Sequence, residues 1–205
     1  MSARRKAGVV AAGALAAGLA WQRVSPSACP YSQRWLLAFP RPGLSVGRLC
    51  EILEPRAGER MLEVGPGTGI FALPVADRAG PQGRMLGFDV QQEMLDDLAR
   101  RAARKGVTNL ELTQGDATEL PYEDASVDGA FLVTVLGEIP DQDAALRELR
   151  RVLRPGGRVV FGETILDPHL VALGAMKRRA EAAGLRFERV LGLPPFGFYA
   201  RFLAP

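Results

Sequence analysis

The sequence predicts an α/β fold, with helices covering both faces of a mainly parallel sheet. Three observations carry that prediction. Short apolar runs ending in an acid or a glycine alternate with stretches of helical spacing, the order expected of strand–helix units. The run at 126–136 is almost continuously apolar, as a strand buried on both faces should be. The chain has 205 residues and 47% apolar content, enough for one sizeable core and too little for two full domains.

The elements follow in order. Residues 44–53 read as a helix and 55–59 as the loop into the first strand. Met61-Leu62-Glu63-Val64-Gly65-Pro66-Gly67-Thr68-Gly69-Ile70 reads as a strand, a tight turn and a helix start. Glycine lets the backbone take φ > 0 and approach a ligand closely. The free N–H groups of a following helix favour an anionic group. The glycine spacing is G-x-G-x-G, with Ile70 where a dinucleotide loop has its last glycine, and no Lys-Ser/Thr follows Gly69. A pyrophosphate cradle is therefore the weaker reading, and a plain structural turn stands beside the ligand loop as an alternative.

Residues 84–90 read as a second strand ending at Asp89, 20 residues after Gly69. An acid at that edge can accept hydrogen bonds from ribose hydroxyls; it can also cap the helix that begins near Gln91. Residues 109–117 form a third strand ending in Gly115-Asp116-Ala117, where Asp116 can likewise cap a short turn. The fourth strand, at 126–136, leads into Gly137-Glu138-Ile139-Pro140-Asp141. A helix with apolar residues at 145, 146, 149, 152 and 153 stops at Pro155-Gly156-Gly157, and a fifth strand follows to Phe161. A helix over 169–183 is closed by Gly184. Residues 186–191 alternate polar and apolar, Gly192-Leu193-Pro194-Pro195 turns, and 196–203 form the last strand.

Acid-x-Gly-x-Gly-x-Gly led by Glu63, then Asp89, Gly115-Asp116-Ala117, the apolar fourth strand and the helix-to-strand passage ending at Phe161 come in a set order. Together they resemble the class I S-adenosylmethionine-dependent methyltransferases, in the type 11 branch that includes the ubiquinone and menaquinone enzymes. The resemblance covers about half the chain by specific motifs and most of the rest by general pattern. It implies a Rossmann-like three-layer sandwich around a mainly parallel seven-stranded sheet, closed by an antiparallel C-terminal hairpin. It also implies S-adenosylmethionine as cofactor. The positions carried over are Glu63, Gly65, Pro66, Gly67 and Gly69 in the loop, and Asp89, Val90, Gln91 and Met94 after the second strand. Gly115, Asp116 and Ala117, with Asp116 facing the adenine amino group, and Val133 and Thr134 at the fourth strand's end complete the set. Many relatives carry aromatic residues or histidine after the fourth strand. Gly137 and Glu138 stand there in this chain, so no histidine role transfers.

Methyl transfer from a sulfonium relies on alignment and water exclusion, which can supply roughly 7–11 kcal/mol, so no catalytic triad is required. Where the acceptor needs a base, Glu138 and Asp141 are the nearest candidates, and a solvated loop acid is the plainer reading of both. His169, the single histidine, is a more distant third; by itself it builds neither a metal site nor a triad, and it reads first as a helix N-terminal polar residue. A small, apolar acceptor, lipid-like or quinone-like, is expected from the N-terminal segment and from Trp35, Phe39, Phe196 and Phe198. In relatives the segment before the first strand covers the cofactor, so Trp35, Leu36 and Phe39 either line that pocket or staple the segment to the core. Two other classes remain: a nucleoside-binding regulatory module without transferase activity, and a nicotinamide-dependent reductase, which the glycine spacing disfavours.

The 26 basic and 23 acidic residues are unevenly placed. Residues 1–60 hold nine Arg/Lys and three Glu, while 61–205 hold 17 basic and 20 acidic side chains. The mildly acidic remainder argues against a nucleic-acid groove. The basic segment suits an anionic membrane surface, touched through residues 4–48. Cys29 and Cys50 make neither a disulfide framework nor metal-ligand spacing, and no metal is expected. Arg4-Arg5-Lys6 precedes an uncharged run of 15 residues, 7–21, shorter than the roughly 20 needed to span a bilayer. It reads as a membrane-resting or inserted anchor, as a surface helix or mis-assigned start, or as an export signal. Because S-adenosylmethionine is made in the cytosol, a cytoplasmic protein, membrane-associated on that side, is expected. The expected division is an N-terminal apolar segment at 1–25, a lid and helical segment at 26–58, and the methyltransferase domain at 59–205.

Overall fold

The computed structural model describes residues 27–38, 41 and 43–205. The candidate anchor at 7–21 and the side chains of Leu36 and Phe39 lie outside the described residues. Seven strands form one sheet: β1 (Arg60–Val64), β2 (Arg84–Asp89), β3 (Leu110–Gln114), β4 (Val127–Val133), β5 (Leu153–Glu163), β6 (Arg186–Leu193) and β7 (Gly197–Leu203). Their spatial order is β3-β2-β1-β4-β5-β7-β6. All neighbours are parallel except β7, which is antiparallel to both β5 and β6. The strand order reverses between β1 and β4, which opens a crevice at the carboxyl ends of the strands.

Among the described residues, five α-helices flank the sheet: α1 (Val46–Leu53), α2 (Ala72–Ala79), α3 (Gln92–Lys105), α4 (Gln142–Val152) and α5 (Leu173–Ala182). The two-residue period of each strand sends neighbours to opposite faces. Met61 and Met85 pack with Leu49, Ala72 and Leu98 of α1, α2 and α3. Leu62 and Leu86 pack with Leu146 and Met176 of α4 and α5 on the other face. That partition makes the three layers. Among the described residues, no helix is long and apolar enough to cross a membrane.

Several boundaries differ from the sequence reading. The first helix begins at Val46 rather than at 44, because Ser45 caps it by accepting the Arg48 N–H at 3.3 Å. β5 starts at Leu153, ahead of Pro155-Gly156-Gly157. Leu153 pairs with Val127 and Arg158 with Gly129, so the intervening residues form a bulge, and Gly156 takes φ 79 there. The helix expected over 169–183 is shorter and begins at Leu173. Its first residues are drawn into a turn in which the Asp167 carboxylate accepts the His169 N–H at 2.8 Å. Gly184, at φ 85, follows its end.

One buried side chain ties the α2 side of the sandwich together. Asn109, just before β3, donates from Nδ2 to the carbonyls of Ala76 and Gly80, each at 2.8 Å. It is buried, so water cannot replace those bonds. Asn109→Ala should lower the unfolding free energy by about 2 kcal/mol in urea titration, with an unchanged m-value. A loss under half of that would mean the helix end is satisfied without it.

Candidate cofactor and acceptor cleft

The glycine turn joins β1 to α2. Gly65 takes φ 71, and a Cβ there would sit 2.5 Å from Cγ2 of Val135, so the loop and the chain after β4 meet only because this residue lacks a side chain. The Gly65 N–H donates to Phe88 C=O at 2.8 Å and ties the loop to β2. Pro66 and Gly69 shape the turn, with the Gly69 N–H donating to Pro66 C=O at 2.9 Å.

Around this turn lies a cleft of about 340 Å³. Gly65, Gly67, Asp89, Val90, Gln91 and Met94 line one part of it. Gly115, Asp116, Ala117, Val133, Thr134 and Glu138 line another. These residues come from the carboxyl ends of four different strands, and the parallel topology gathers them at one sheet edge. Pro66 and Gly69 stand behind that wall, and so does Glu63.

Asp89 is buried, and both of its carboxylate oxygens are oriented by backbone. Oδ2 accepts the Gly67 N–H at 3.2 Å and Oδ1 accepts the Gln91 N–H at 3.0 Å. Burial raises its carboxyl above the ordinary range, against those two N–H groups. The helix-capping alternative is not what is seen: the residue at the α3 N-cap is Gln91, and no side chain caps that end. Asp116 does serve its turn: Oδ1 accepts the Thr118 N–H at 2.9 Å and the Thr118 hydroxyl at 2.8 Å, which hold its carboxyl below the ordinary range. It also borders the cleft, so the two roles coexist.

Glu63 sits beneath the loop, 1% exposed. Its Oε2 has no hydrogen-bond partner among the described residues. Burial pushes its carboxyl well up, and the neighbouring Asp89 charge adds to that.

The chain after β4 holds what sequence reasoning missed. Thr134 takes φ 57, a left-handed conformation rare for a branched residue. It is held there by its N–H donating to Gly162 C=O at 2.8 Å and its hydroxyl donating to Val133 C=O at 2.7 Å. The bend turns Val135, Ile139 and Pro140 into the cleft wall. Gly137 also has a steric reason: a Cβ there would overlap the backbone carbonyl of His169. A side chain at this place therefore has no room.

Glu138 lines the cleft, and its carboxyl is pushed up to about 8, first by burial and then by the nearby charge of Asp167. Arg41 also lines the cleft, a cation set among these acids. Asp141 lies outside the cleft wall and caps α4, accepting the Ala144 N–H at 2.9 Å. His169 borders a separate surface groove with Asp167 and Arg179. Among the described residues, no group of three or more His, Cys, Asp or Glu could hold a metal ion.

Of the aromatic side chains expected to shape an acceptor pocket, Trp35, Phe196 and Phe198 are among the described residues and do not line the cleft. Phe198 is fully buried in the core beneath the sheet, whereas Trp35 and Phe196 are exposed away from the lining. Strand alternation sends Phe198 inward, and the hairpin turn leaves Phe196 outside. Apolar lining comes instead from Val133, Val135, Ile139 and Pro140 on the β4 side and from Phe88 and Met94 on the β2 side.

Residues 62–161 match the family described as Methyltransferase domain. That segment, just under half of the chain, is similar to this methyltransferase domain. The chain is 42% identical over 119 residues to an uncharacterized 37.1 kDa protein of transposon TN4556 from Streptomyces fradiae, over 58% of this chain and 34% of that protein. It is 38% identical over 129 residues to the demethylmenaquinone methyltransferase of Staphylococcus aureus, over 63% of this chain and 53% of that enzyme. The chain thus spans about a third of the first relative and about half of the second. Its fold matches that of a SAM-dependent methyltransferase from Aquifex aeolicus with a TM-score of 0.79 at 20% identity, over 87% of this chain and 100% of that one. It also matches the [4+2]-cyclase SpnF with a TM-score of 0.64 at 27% identity, over 71% of this chain and 57% of that one.

S-adenosylmethionine, the family's cofactor, fits this methyltransferase cleft. The glycine turn has no room for a Cβ at Gly65. The unpartnered oxygen of Glu63 suits the ammonium end, and the aligned Asp89 carboxylate suits a diol.

Proposed function

We propose that this methyltransferase moves a methyl group from S-adenosylmethionine to a small, apolar, quinone-like acceptor. The observation that carries the proposal is the gathering of Asp89, Asp116 and the glycine turn on one cleft that continues into an apolar wall ending at Glu138. When bound, the cofactor supplies an electrophilic methyl group on sulfur. Asp89 would hold the ribose hydroxyls, Asp116 would face the adenine edge, and Glu63, behind the glycine turn, would supply negative charge for the ammonium end. Val135, Ile139 and Pro140 exclude water and fix the acceptor plane, which is most of what the reaction asks of the protein. Glu138 takes the proton from an acceptor hydroxyl or from a carbon activated by one. Its burial raises its basicity toward that task.

Further observations support an acceptor of membrane origin. Ile165, Leu166, Leu193 and Phe196 are exposed at the same sheet edge as the cleft, joined by a bond from the Thr164 hydroxyl to Phe196 C=O at 2.9 Å. Gly43, on the basic N-terminal segment, packs against Gly197 of that hairpin. The relation to a demethylmenaquinone methyltransferase points the same way.

Radiolabelled methyl transfer from S-adenosylmethionine into quinol-bearing anionic vesicles tests the reading, with soluble thiols and amines as the contrast. Label is expected in the organic extract. A variant lacking residues 1–24 should keep its affinity for S-adenosylhomocysteine while pelleting less with the vesicles. Label confined to the aqueous acceptors would overturn the apolar acceptor. The fold also serves the [4+2]-cyclase SpnF, so fold by itself does not assign transfer. Nucleoside binding with no label in any acceptor would favour the regulatory-module reading.

A further inference from the structure

Residues 27–31 cross the cleft as a strap, with Ser27, Ala28 and Cys29 contributing to its lining. The strap is fastened from both banks. On the β2 side, Gln91 Nε2 donates to Cys29 C=O and Gln91 Oε1 accepts the Tyr31 N–H, each at 2.9 Å. On the β4 side, the Cys29 N–H donates to Glu138 at a long 3.4 Å. The amide pair on Gln91 is self-consistent in direction, because the reversed carboxamide would set donor against donor and acceptor against acceptor. Further supports among the described residues are Arg34, 4.4 Å over the Tyr31 ring and 3.8 Å from Asp97, and a side-chain contact between Tyr31 and Arg100 of α3. Gln91 is the side chain that holds the strap by two short hydrogen bonds.

The same residue touches the candidate ribose acid. Its backbone N–H donates to Asp89 Oδ1 at 3.0 Å, while its side chain holds the strap. We propose that Gln91 is a positioning residue: its carboxamide clasps the 27–31 strap over the cleft, and this clasp sets how fast the nucleoside leaves. The inference rests on the cofactor reading above and adds to it a role for a side chain that contacts the strap instead of the ligand. Two net hydrogen bonds amount to a factor of roughly thirty in an equilibrium. That is enough to keep the strap closed and small enough to let it open in each turnover.

Cys29 supplies a readout that needs no ligand. It lies on the strap and is partly accessible, whereas the other cysteine, Cys50, is buried in α1. In the full-length protein, Gln91→Ala should raise the rate of N-ethylmaleimide labelling at Cys29 about tenfold, followed by mass spectrometry of that peptide. Its melting temperature should stay within a few degrees of the parent, since the strap lies outside the core. Dissociation of S-adenosylhomocysteine, measured by competitor chase, should quicken by a similar factor. Gln91→Glu retains the acceptor for the Tyr31 N–H but loses the donor to Cys29 C=O, so it should fall between the two. Unchanged Cys29 labelling in Gln91→Ala would overturn the clasp. Faster labelling with unchanged ligand dissociation would overturn its control of release. If S-adenosylhomocysteine bound neither protein, the cofactor reading would fail, and the ligand-free labelling rates would still decide whether Gln91 holds the strap.

Discussion

Asp89→Ala should weaken S-adenosylhomocysteine binding about a hundredfold in titration calorimetry. A hydrogen bond to a charged acceptor is worth roughly 1.5–3 kcal/mol. Two such bonds from a ribose diol come to at least about 3 kcal/mol, and about 1.4 kcal/mol is a factor of ten. The local geometry supports the full value, because Gly67 and Gln91 fix both carboxylate oxygens before any ligand arrives. Little ordering then remains to oppose binding. The same burial raises the Asp89 pKa, so the ionised carboxylate works against the fold at neutral pH. Asp89→Ala should therefore lose affinity without a matching loss of melting temperature. Unchanged affinity would remove Asp89 from the ribose site, and a collapse in stability would make its role structural.

Glu138→Gln should lower the methyl-transfer rate about a hundredfold or more above pH 8, within the range of general-base contributions. A base works in its ionised form. With a carboxyl held at about 8, the parent rate should climb through neutral pH and level off above that value. The glutamine variant should show no such limb. The stability sign can be worked out as well. The folded pKa lies above the unfolded carboxylate value, so the folded state holds the extra proton between them. The stabilisation is complete below about 4.5 and is lost as pH rises through about 8. Glu138→Gln should flatten that part of the melting-temperature profile. Asp167, Asp89 and the cationic Arg41 face the same carboxyl, so the remaining slope belongs to the other buried acids. An unaltered rate profile in the variant would leave Glu138 as the strap's second fastener only.

The part of the cleft built on the glycine turn and its acids was legible in the chain because each piece of it is local. Glu63 to Gly69 specify a strand, a turn and a helix start within one short stretch. Asp89 and Asp116 each sit where an apolar run stops, and strand ends of a parallel sheet share one edge. The misplaced features depend on register and on distant contacts. Phe198 and Phe196 differ by two residues, yet one is sealed in the core and the other projects at the hairpin turn. Asp141 looked equivalent to Glu138, but it is three residues further on, where a helix N-terminus claims its carboxylate.

The alternation of strands and helices, the glycine turn and its acids, and with them the resemblance to S-adenosylmethionine-dependent methyltransferases, were readable from the residues alone. These follow from short-range patterning: periodicity, glycine backbone freedom and the chemistry of single side chains. The far side of the cleft, by contrast, emerges from the folded chain. The left-handed Thr134, the raised carboxyl of Glu138, and the strap drawn from residues some 60 positions away to Gln91 all arise from long-range packing. Burial and distance set their chemistry, and neither is written in the order of residues along the chain.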